Sequence, residues 1–75
     1  MTKIQQDLLD SLILGDCSEI VTNPYSEDFC ELEPLAVALY DYIKGCEHLK
    51  EYTKMKLALD IFCEKWPTEY FILLD

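Results

Sequence analysis

The sequence contains no arginine, only two glycines and a single histidine, and each scarcity argues against a class of function. Arginine is the preferred side chain for bidentate recognition of phosphates, so its absence argues against direct binding of nucleic acid. Two glycines cannot form the glycine-rich loop that cradles the phosphates of a nucleotide. The lysines are also few: six oppose 15 acidic residues, for a formal net charge of −9, and this charge repels nucleic acid and anionic membranes.

The sequence also lacks a targeting signal or a membrane segment. No apolar run approaches the roughly 20 residues of a membrane-spanning helix. Asp7 and Asp10 interrupt the apolar residues near the N-terminus, and the positive start and unbroken apolar stretch of a signal peptide are missing. We therefore expect a cytoplasmic protein that contacts neither membranes nor nucleic acid directly.

No residue pattern indicates catalysis or a metal site. His48 is the single histidine, and its neighbours Cys46 and Glu47 are too close in sequence to face it on a helix. The cysteines lie far apart in sequence, whereas zinc ligands come in pairs separated by two to four residues. They are Cys17, Cys30, Cys46 and Cys63. We expect no enzymatic activity, no cofactor and no metal.

The cysteines have two interpretations that depend on the compartment. In a reducing cytosol they stay free, and Cys46 and Cys63, on apolar helical faces, pack as small hydrophobic side chains. In an oxidising compartment the four would form two disulfides with three alternative connectivities. The cytosolic expectation favours free thiols.

Apolar residues recur at helical spacing near both ends of the chain. The first stripe predicts a helix that Thr2 caps and Gly15 ends, and its members are Ile4, Leu8, Leu9, Leu12 and Ile13. After Pro67, residues 67–74 predict a short final helix, with a β-strand as the alternative.

Two longer helices are predicted between these ends. Pro34 is well placed to open one, and the pair Lys44–Gly45 is typical of a helix C-terminus. Apolar spacing continues to Leu49, so the alternative is a helix that continues past Gly45; we expect a break within residues 45–49. The next helix runs from Glu51 to about Lys65, where Pro67 stops it.

Residues 15–33 form the least regular segment. Asn23–Pro24 is a strong helix breaker, and Ser26 is suited to cap a short helical turn from Glu27 to Leu32. Phe29 and Leu32 would then face inward. Together these patterns predict an all-α fold, a small compact bundle of three to five short helices, in one domain that spans residues 1–75.

The third predicted helix resembles the second helix and closing proline of a tetratricopeptide repeat. The resemblance rests on the spacing of Tyr52, Met55, Leu59, Phe62 and Pro67, and it covers about thirty residues. The preceding helix would supply the first half of such a unit. Since the chain holds no second copy, the resemblance implies an antiparallel helical hairpin and not a repeat array.

Acidic residues crowd the first half of the chain. Residues 1–43 contain nine acids and one lysine, whereas residues 44–75 contain six acids and five lysines. A field of one sign attracts a cationic partner and speeds its association, and the cationic proteins of a cell are those that bind nucleic acid. The candidate partner-binding residues are Asp16, Glu19, Glu27, Asp28, Glu31 and Glu33.

In size and charge, the chain is similar to the small antagonists carried by bacteriophages, including anti-CRISPR proteins and DNA mimics. That similarity implies an inhibitor that occupies the basic surface of a nucleic-acid-binding protein. The alternative is an adaptor or accessory subunit, whose partner is either another protein or, in a homodimer, a second copy of this chain. The reason is that 51% apolar residues are more than a 75-residue domain readily buries, so an apolar face is left exposed. The adaptor would dock through an apolar helical face, with Tyr52 and Trp66 as candidate contacts. Lys50, Lys54 and Lys56 are interpreted as a solvated helix face.

Overall fold

The computed structural model describes residues 2–12, 14, 15 and 17–74, and within them it contains four helices and one β-hairpin. The elements are α1 (Lys3–Ser11), β1 (Glu19–Thr22), β2 (Phe29–Leu32), α2 (Pro34–Leu49), α3 (Tyr52–Lys65) and α4 (Pro67–Leu73). The prediction of a mostly helical chain is confirmed, and the prediction that the fold is purely all-α is wrong. None of the described helices has both the length and the apolar character that crossing a membrane requires.

Helix α1 begins as the sequence predicts and ends earlier. The Thr2 hydroxyl accepts the Gln5 N–H at 3.2 Å, and the Gln5 side chain accepts the Thr2 N–H at 2.9 Å, which completes a capping box. The helix stops at Ser11 because Leu12 has an extended backbone, so the predicted end at Gly15 is wrong. Ile13, which belongs to the predicted stripe, lies outside the described residues.

Helix α2 continues through Gly45 and ends at Leu49, the far limit of the predicted break. The buried side chain of Cys46 extends the apolar face past the glycine. The chain leaves the helix at Lys50, which adopts a left-handed conformation with φ of 60°. The Glu51 N–H bonds to the Cys46 carbonyl at 2.9 Å and the Lys50 N–H bonds to the Glu47 carbonyl at 3.2 Å, as in a Schellman motif.

The last three helices form most of the core. Only Lys50 and Glu51 separate α2 from α3, and the two helices pack against each other as the implied helical hairpin. Helix α4 confirms the prediction of a short final helix over the strand alternative. The largest fully buried side chains come from β2, α2 and α3, and they are Leu32, Leu39, Ile43, Ile61 and Phe62. Leu9 of α1 and Leu73 of α4 join the same cluster.

The β-hairpin replaces the helical turn that was predicted from Glu27 to Leu32. Ile20, Val21 and Thr22 are β-branched and favour a strand, and β1 pairs with β2 in antiparallel register. Ser26 does not cap a helix, since its hydroxyl accepts the N–H of Asp28 at 3.3 Å within the turn. Leu32 is buried as expected, but Phe29 points outward.

Candidate protein-binding surface

The turn of the hairpin, residues 23–28, is organised by Asn23, which is buried. Its backbone N–H donates to the Asp28 carbonyl at 2.7 Å, and its carbonyl accepts the Glu27 N–H at 2.9 Å. Its side-chain oxygen accepts the Tyr25 N–H at 2.8 Å, while its amide group donates to the Ile72 carbonyl at 2.9 Å. One side chain therefore shapes the turn and attaches it to α4.

The register of the two strands defines an inner and an outer face of the hairpin. Residues directly opposite each other in an antiparallel pair point to the same face, and faces alternate along each strand. The inner face carries the pairs Val21–Cys30 and Glu19–Leu32, of which Val21, Cys30 and Leu32 pack on the core. The outer face carries the pairs Ile20–Glu31 and Thr22–Phe29, and all four of these residues are exposed.

Four of the predicted acidic residues lie exposed on this hairpin, and we call Glu19, Glu27, Asp28 and Glu31 the hairpin acids. Glu31 is on the outer face, Glu27 and Asp28 belong to the turn, and Glu19 begins β1. In the described part of the chain, none of the four makes an ion pair with a lysine. Asp16, the remaining predicted acid before the hairpin, lies outside the described residues.

Glu33 is exposed too, but its carboxylate has a structural partner. The Trp66 ring N–H donates to it at 3.0 Å, across 33 residues of sequence. The Trp66 ring lies 5.4 Å from the Phe62 ring, in a tilted arrangement at the edge of the core. Glu33 and Trp66, predicted for two different binding surfaces, thus meet each other and join the start of α2 to the end of α3.

The lysines of α2 and α3 offset acids of these helices and Glu51, which precedes α3. Three exposed ion pairs form there, Lys44 with Glu47 at 3.6 Å, Lys54 with Glu51 at 3.4 Å and Lys56 with Asp60 at 3.8 Å. Such exposed pairs add little stability, but they cancel the local field. Residues 44–75, with six acids and five lysines, are therefore close to neutral, whereas four exposed acids that lack a lysine partner within the described residues lie on the hairpin. Other exposed acids lie on α1 and α2, at Asp7, Asp10 and Asp41.

The hairpin also exposes large apolar side chains that sequence reasoning missed. Ile20 is 69% exposed and Phe29 is 67% exposed on the outer face, and Tyr25 in the turn is 90% exposed. The run Ile20–Val21–Thr22 is typical of a strand, and this signal could have indicated the hairpin and its faces. Large exposed apolar residues elsewhere in the described chain are Ile4, Leu14, Leu49, Tyr52 and Phe71.

Of the two predicted apolar contacts, Tyr52 has the more accessible position. It is 60% exposed at the start of α3. A shallow groove of about 390 Å³ runs along this helix beside it, lined by Tyr52, Thr53, Lys56, Leu57 and Asp60. Trp66 is only partly exposed, since its ring packs against the core and its N–H is occupied by Glu33.

Two smaller cavities flank the hairpin. One of about 260 Å³ lies between α2 and the segment that leads into β1, where Cys17, Glu19 and Asp41 line it. The other, of about 230 Å³, lies beneath the turn between Tyr25 and the α3 and α4 side chains Leu59 and Leu73. Both are below the roughly 300–1,000 Å³ of typical small-molecule sites.

The thiols show no arrangement for chemistry. All four cysteines are free, with Cys46 buried as predicted, whereas Cys63 is exposed, contrary to the predicted packing. Burial, followed by the nearby carboxylate of Glu69, raises the pKa of the Cys30 thiol and so weakens it as a nucleophile. His48 is exposed at the end of α2. Within the described residues, no group of three or more potential ligands could hold a metal ion.

No protein-family model matches this chain, and comparisons with curated proteins and with solved structures give no match either.

Proposed function

We propose that this protein is an inhibitor that binds a basic, nucleic-acid-binding surface of a protein partner through the hairpin acids. The observation that carries the proposal is the separation of charge across the fold. The hairpin acids are exposed and, in the described part of the chain, unpaired with lysine, while lysines offset acids along α2 and α3. A bound hairpin would exclude nucleic acid from the partner, in the manner of a DNA mimic.

Electrostatic attraction over this surface would be additive. Each strand has four residues and is therefore about 13 Å long, so acids up to three residues apart lie within the roughly 10 Å screening length at 0.1 M salt. A cationic partner would experience Glu27, Asp28 and Glu31 as one negative patch, because they lie within five consecutive residues of the turn and β2, whereas Glu19 lies at the far end of the hairpin. Such a patch raises the association rate and makes binding sensitive to salt.

The hairpin is also held in shape before any partner arrives. Its inner face packs on the core, and Asn23 attaches its turn to the carbonyl of Ile72 at 2.9 Å. A surface that is ordered in advance loses less conformational entropy on binding. This supports a role for the hairpin as a rigid binding surface.

The test is a pull-down from the native host with matched charge variants. The first variant, E27Q/D28N/E31Q, neutralises three hairpin acids. The second, D7N/D10N/D41N, neutralises three exposed acids of α1 and α2, so both variants have the same formal charge. We expect wild type and the second variant to retain a nucleic-acid-binding protein that is released as salt rises from 50 to about 200 mM, and the first variant to lose it.

The retained protein is then incubated with its labelled nucleic acid and increasing amounts of wild-type chain. Displacement of the nucleic acid at low salt is the expected result. Retention that is equal for both charge variants, or that survives high salt unchanged, would overturn the proposal.

A second candidate function, an adaptor, is supported by the groove beside Tyr52 on α3. An apolar segment of a partner would dock there. In a homodimer, that partner is a second copy of this chain. Tyr52→Ala would then abolish capture, and Tyr25→Ala, which removes another exposed tyrosine, would not. Sedimentation of the purified chain at rising concentration would reveal a homodimer, since self-association increases the average mass.

A further inference from the structure

We infer that the outer face of the hairpin anchors a basic amphipathic helix of the partner, with Ile20 and Phe29 as the apolar anchors and Glu31 as the contact for a cationic side chain. This inference rests on the proposed function and deepens it, because it specifies the chemistry of the partner segment. A uniformly cationic surface would pair with the hairpin acids but would leave the apolar residues of the outer face uncovered. The partner segment must therefore carry apolar side chains as well as cationic ones.

The strand register places the anchors together. Ile20 lies opposite Glu31, and Thr22 lies opposite Phe29, so Ile20 and Phe29 are diagonal neighbours on one face. Diagonal neighbours in an antiparallel pair are about 7–8 Å apart. Glu31 lies directly beside Ile20 on that face, and the turn acids Glu27 and Asp28 precede Phe29 along the chain.

Packing within the chain does not account for these two side chains. The hairpin already contributes Val21, Cys30 and Leu32 to the core through its inner face. On the outer face, Ile20 and Phe29 remain about two-thirds exposed and bury little apolar surface within the chain. A cluster of exposed apolar residues rimmed by charge is typical of a protein-binding surface.

Charge complementarity selects the occupant. A second copy of this chain would bring Glu31 and the turn acids against the same acids, and this like-charge contact is unfavourable. A neutral apolar segment would cover Ile20 and Phe29 but would desolvate Glu31 without pairing it. A segment with apolar side chains flanked by lysine or arginine satisfies both features.

The geometry of the face favours a helix over an extended strand. An added strand would pair with an edge of the hairpin through its backbone and would leave the side chains of the outer face uncovered. A helix can lie across the face, and apolar residues four positions apart on it are about 6 Å apart along its axis. That separation is close to the spacing of Ile20 and Phe29.

The test titrates the isotope-labelled full chain with a synthetic lysine–leucine amphipathic helix of about 18 residues, or five turns, observed by nuclear magnetic resonance. A lysine–glutamine peptide of equal charge is the probe for electrostatics alone. We expect amide shifts at residues 19–32 with the amphipathic helix, and weaker binding of the lysine–glutamine peptide by about tenfold.

Matched pairs of variants isolate the face. Phe29→Ala is compared with Phe71→Ala, since the two rings are 67% and 64% exposed, and Ile20→Thr is compared with Ile4→Thr, at 69% and 66%. Threonine preserves strand propensity at position 20, so this variant tests the anchor without weakening β1. We expect Phe29→Ala and Ile20→Thr to weaken binding about tenfold, and the α1 and α4 variants less than about twofold.

Each outcome separates this inference from the function on which it rests. If E27Q/D28N/E31Q loses the peptide and Phe29→Ala does not, the outer-face inference is overturned while the proposed function stands. If neither change alters binding, both fail. Shifts confined to the α3 groove at Tyr52 and Leu57 would also overturn the inference, because they would locate the apolar contact elsewhere.

Discussion

At the scale of single residues, glycine and lysine occupy each other's preferred positions at the end of α2. Gly45 lies inside the helix, exposed, with open space where a Cβ would be, while Lys50 holds the left-handed position where glycine is favoured. We therefore expect Gly45→Ala and Lys50→Gly each to raise the free energy of unfolding by about 0.5–1 kcal/mol. Urea unfolding measures this as a higher midpoint with an unchanged slope.

Lys56→Gly is the control for that prediction, because it places glycine in the interior of α3, where it should destabilise by about 1 kcal/mol. A Lys50→Gly variant as unstable as this control would contradict the left-handed assignment of Lys50.

Residue signals in the sequence were reliable where a short-range pattern determines the structure. Thr2 caps α1 and Pro34 opens α2, both as predicted. The pair Lys44–Gly45 misled, because local chemistry favoured an end there while the burial of Cys46 favoured a longer helix. Contacts across long separations, such as Trp66 with Glu33, have no signal in a single sequence.

At the scale of elements, the helices were predictable and the hairpin was not. Helices α3 and α4 follow an apolar period and a proline boundary that the sequence displays directly. Each strand has only four residues, and Ser26 followed by acids imitates the start of a helix. The pairing of Ile20 with Glu31 is what makes β2 a strand, and pairing is a property of two segments together.

The attachment of the hairpin to α4 gives a prediction at this scale. Asn23→Ala removes the bonds to Tyr25 and Ile72 and leaves a carbonyl near the core without its donor. We expect the free energy of unfolding to fall by about 1–3 kcal/mol, and amides of β1 and β2 to exchange hydrogen faster than those of α2. Ser26→Ala, which removes one exposed 3.3 Å bond in the same turn, should change stability by less than about 0.5 kcal/mol. Equal effects of the two variants would show that the bond to Ile72 does not attach the turn.

At the scale of the whole molecule, the charge separation of the sequence is also a separation in the fold. The acid-rich segment became an exposed hairpin, and the lysine-rich segment became helices with internal ion pairs. The crowding of acids into one segment was therefore predictable from composition along the chain, although the sequence predicted a helical turn and not a hairpin there. The apolar anchors Ile20 and Phe29 were not, since their exposure depends on which face of the hairpin the core covers.

Two groups with raised pKa values contribute to the response of the molecule to alkaline pH. Burial raises the pKa of the Tyr42 phenol, assisted by Cys46 and Glu51, and burial with Glu69 raises the pKa of the Cys30 thiol. In the unfolded chain these groups lose their protons near pH 10 and about pH 8.5, respectively, whereas the folded chain retains them to higher pH. Above about pH 8.5 the unfolded state therefore binds fewer protons than the folded state. The stabilisation that these two groups contribute is fully present below that pH, and it is lost as the pH rises through their raised pKa values.

Urea unfolding under reducing conditions at pH 7.5, 9 and 10.5 measures this decline in the free energy of unfolding. Tyr42→Phe should flatten it above about pH 10 and Cys30→Val should flatten it from about pH 8.5, because each variant removes one ionisable group. A decline that is identical in wild type and both variants would assign the alkaline loss to other groups.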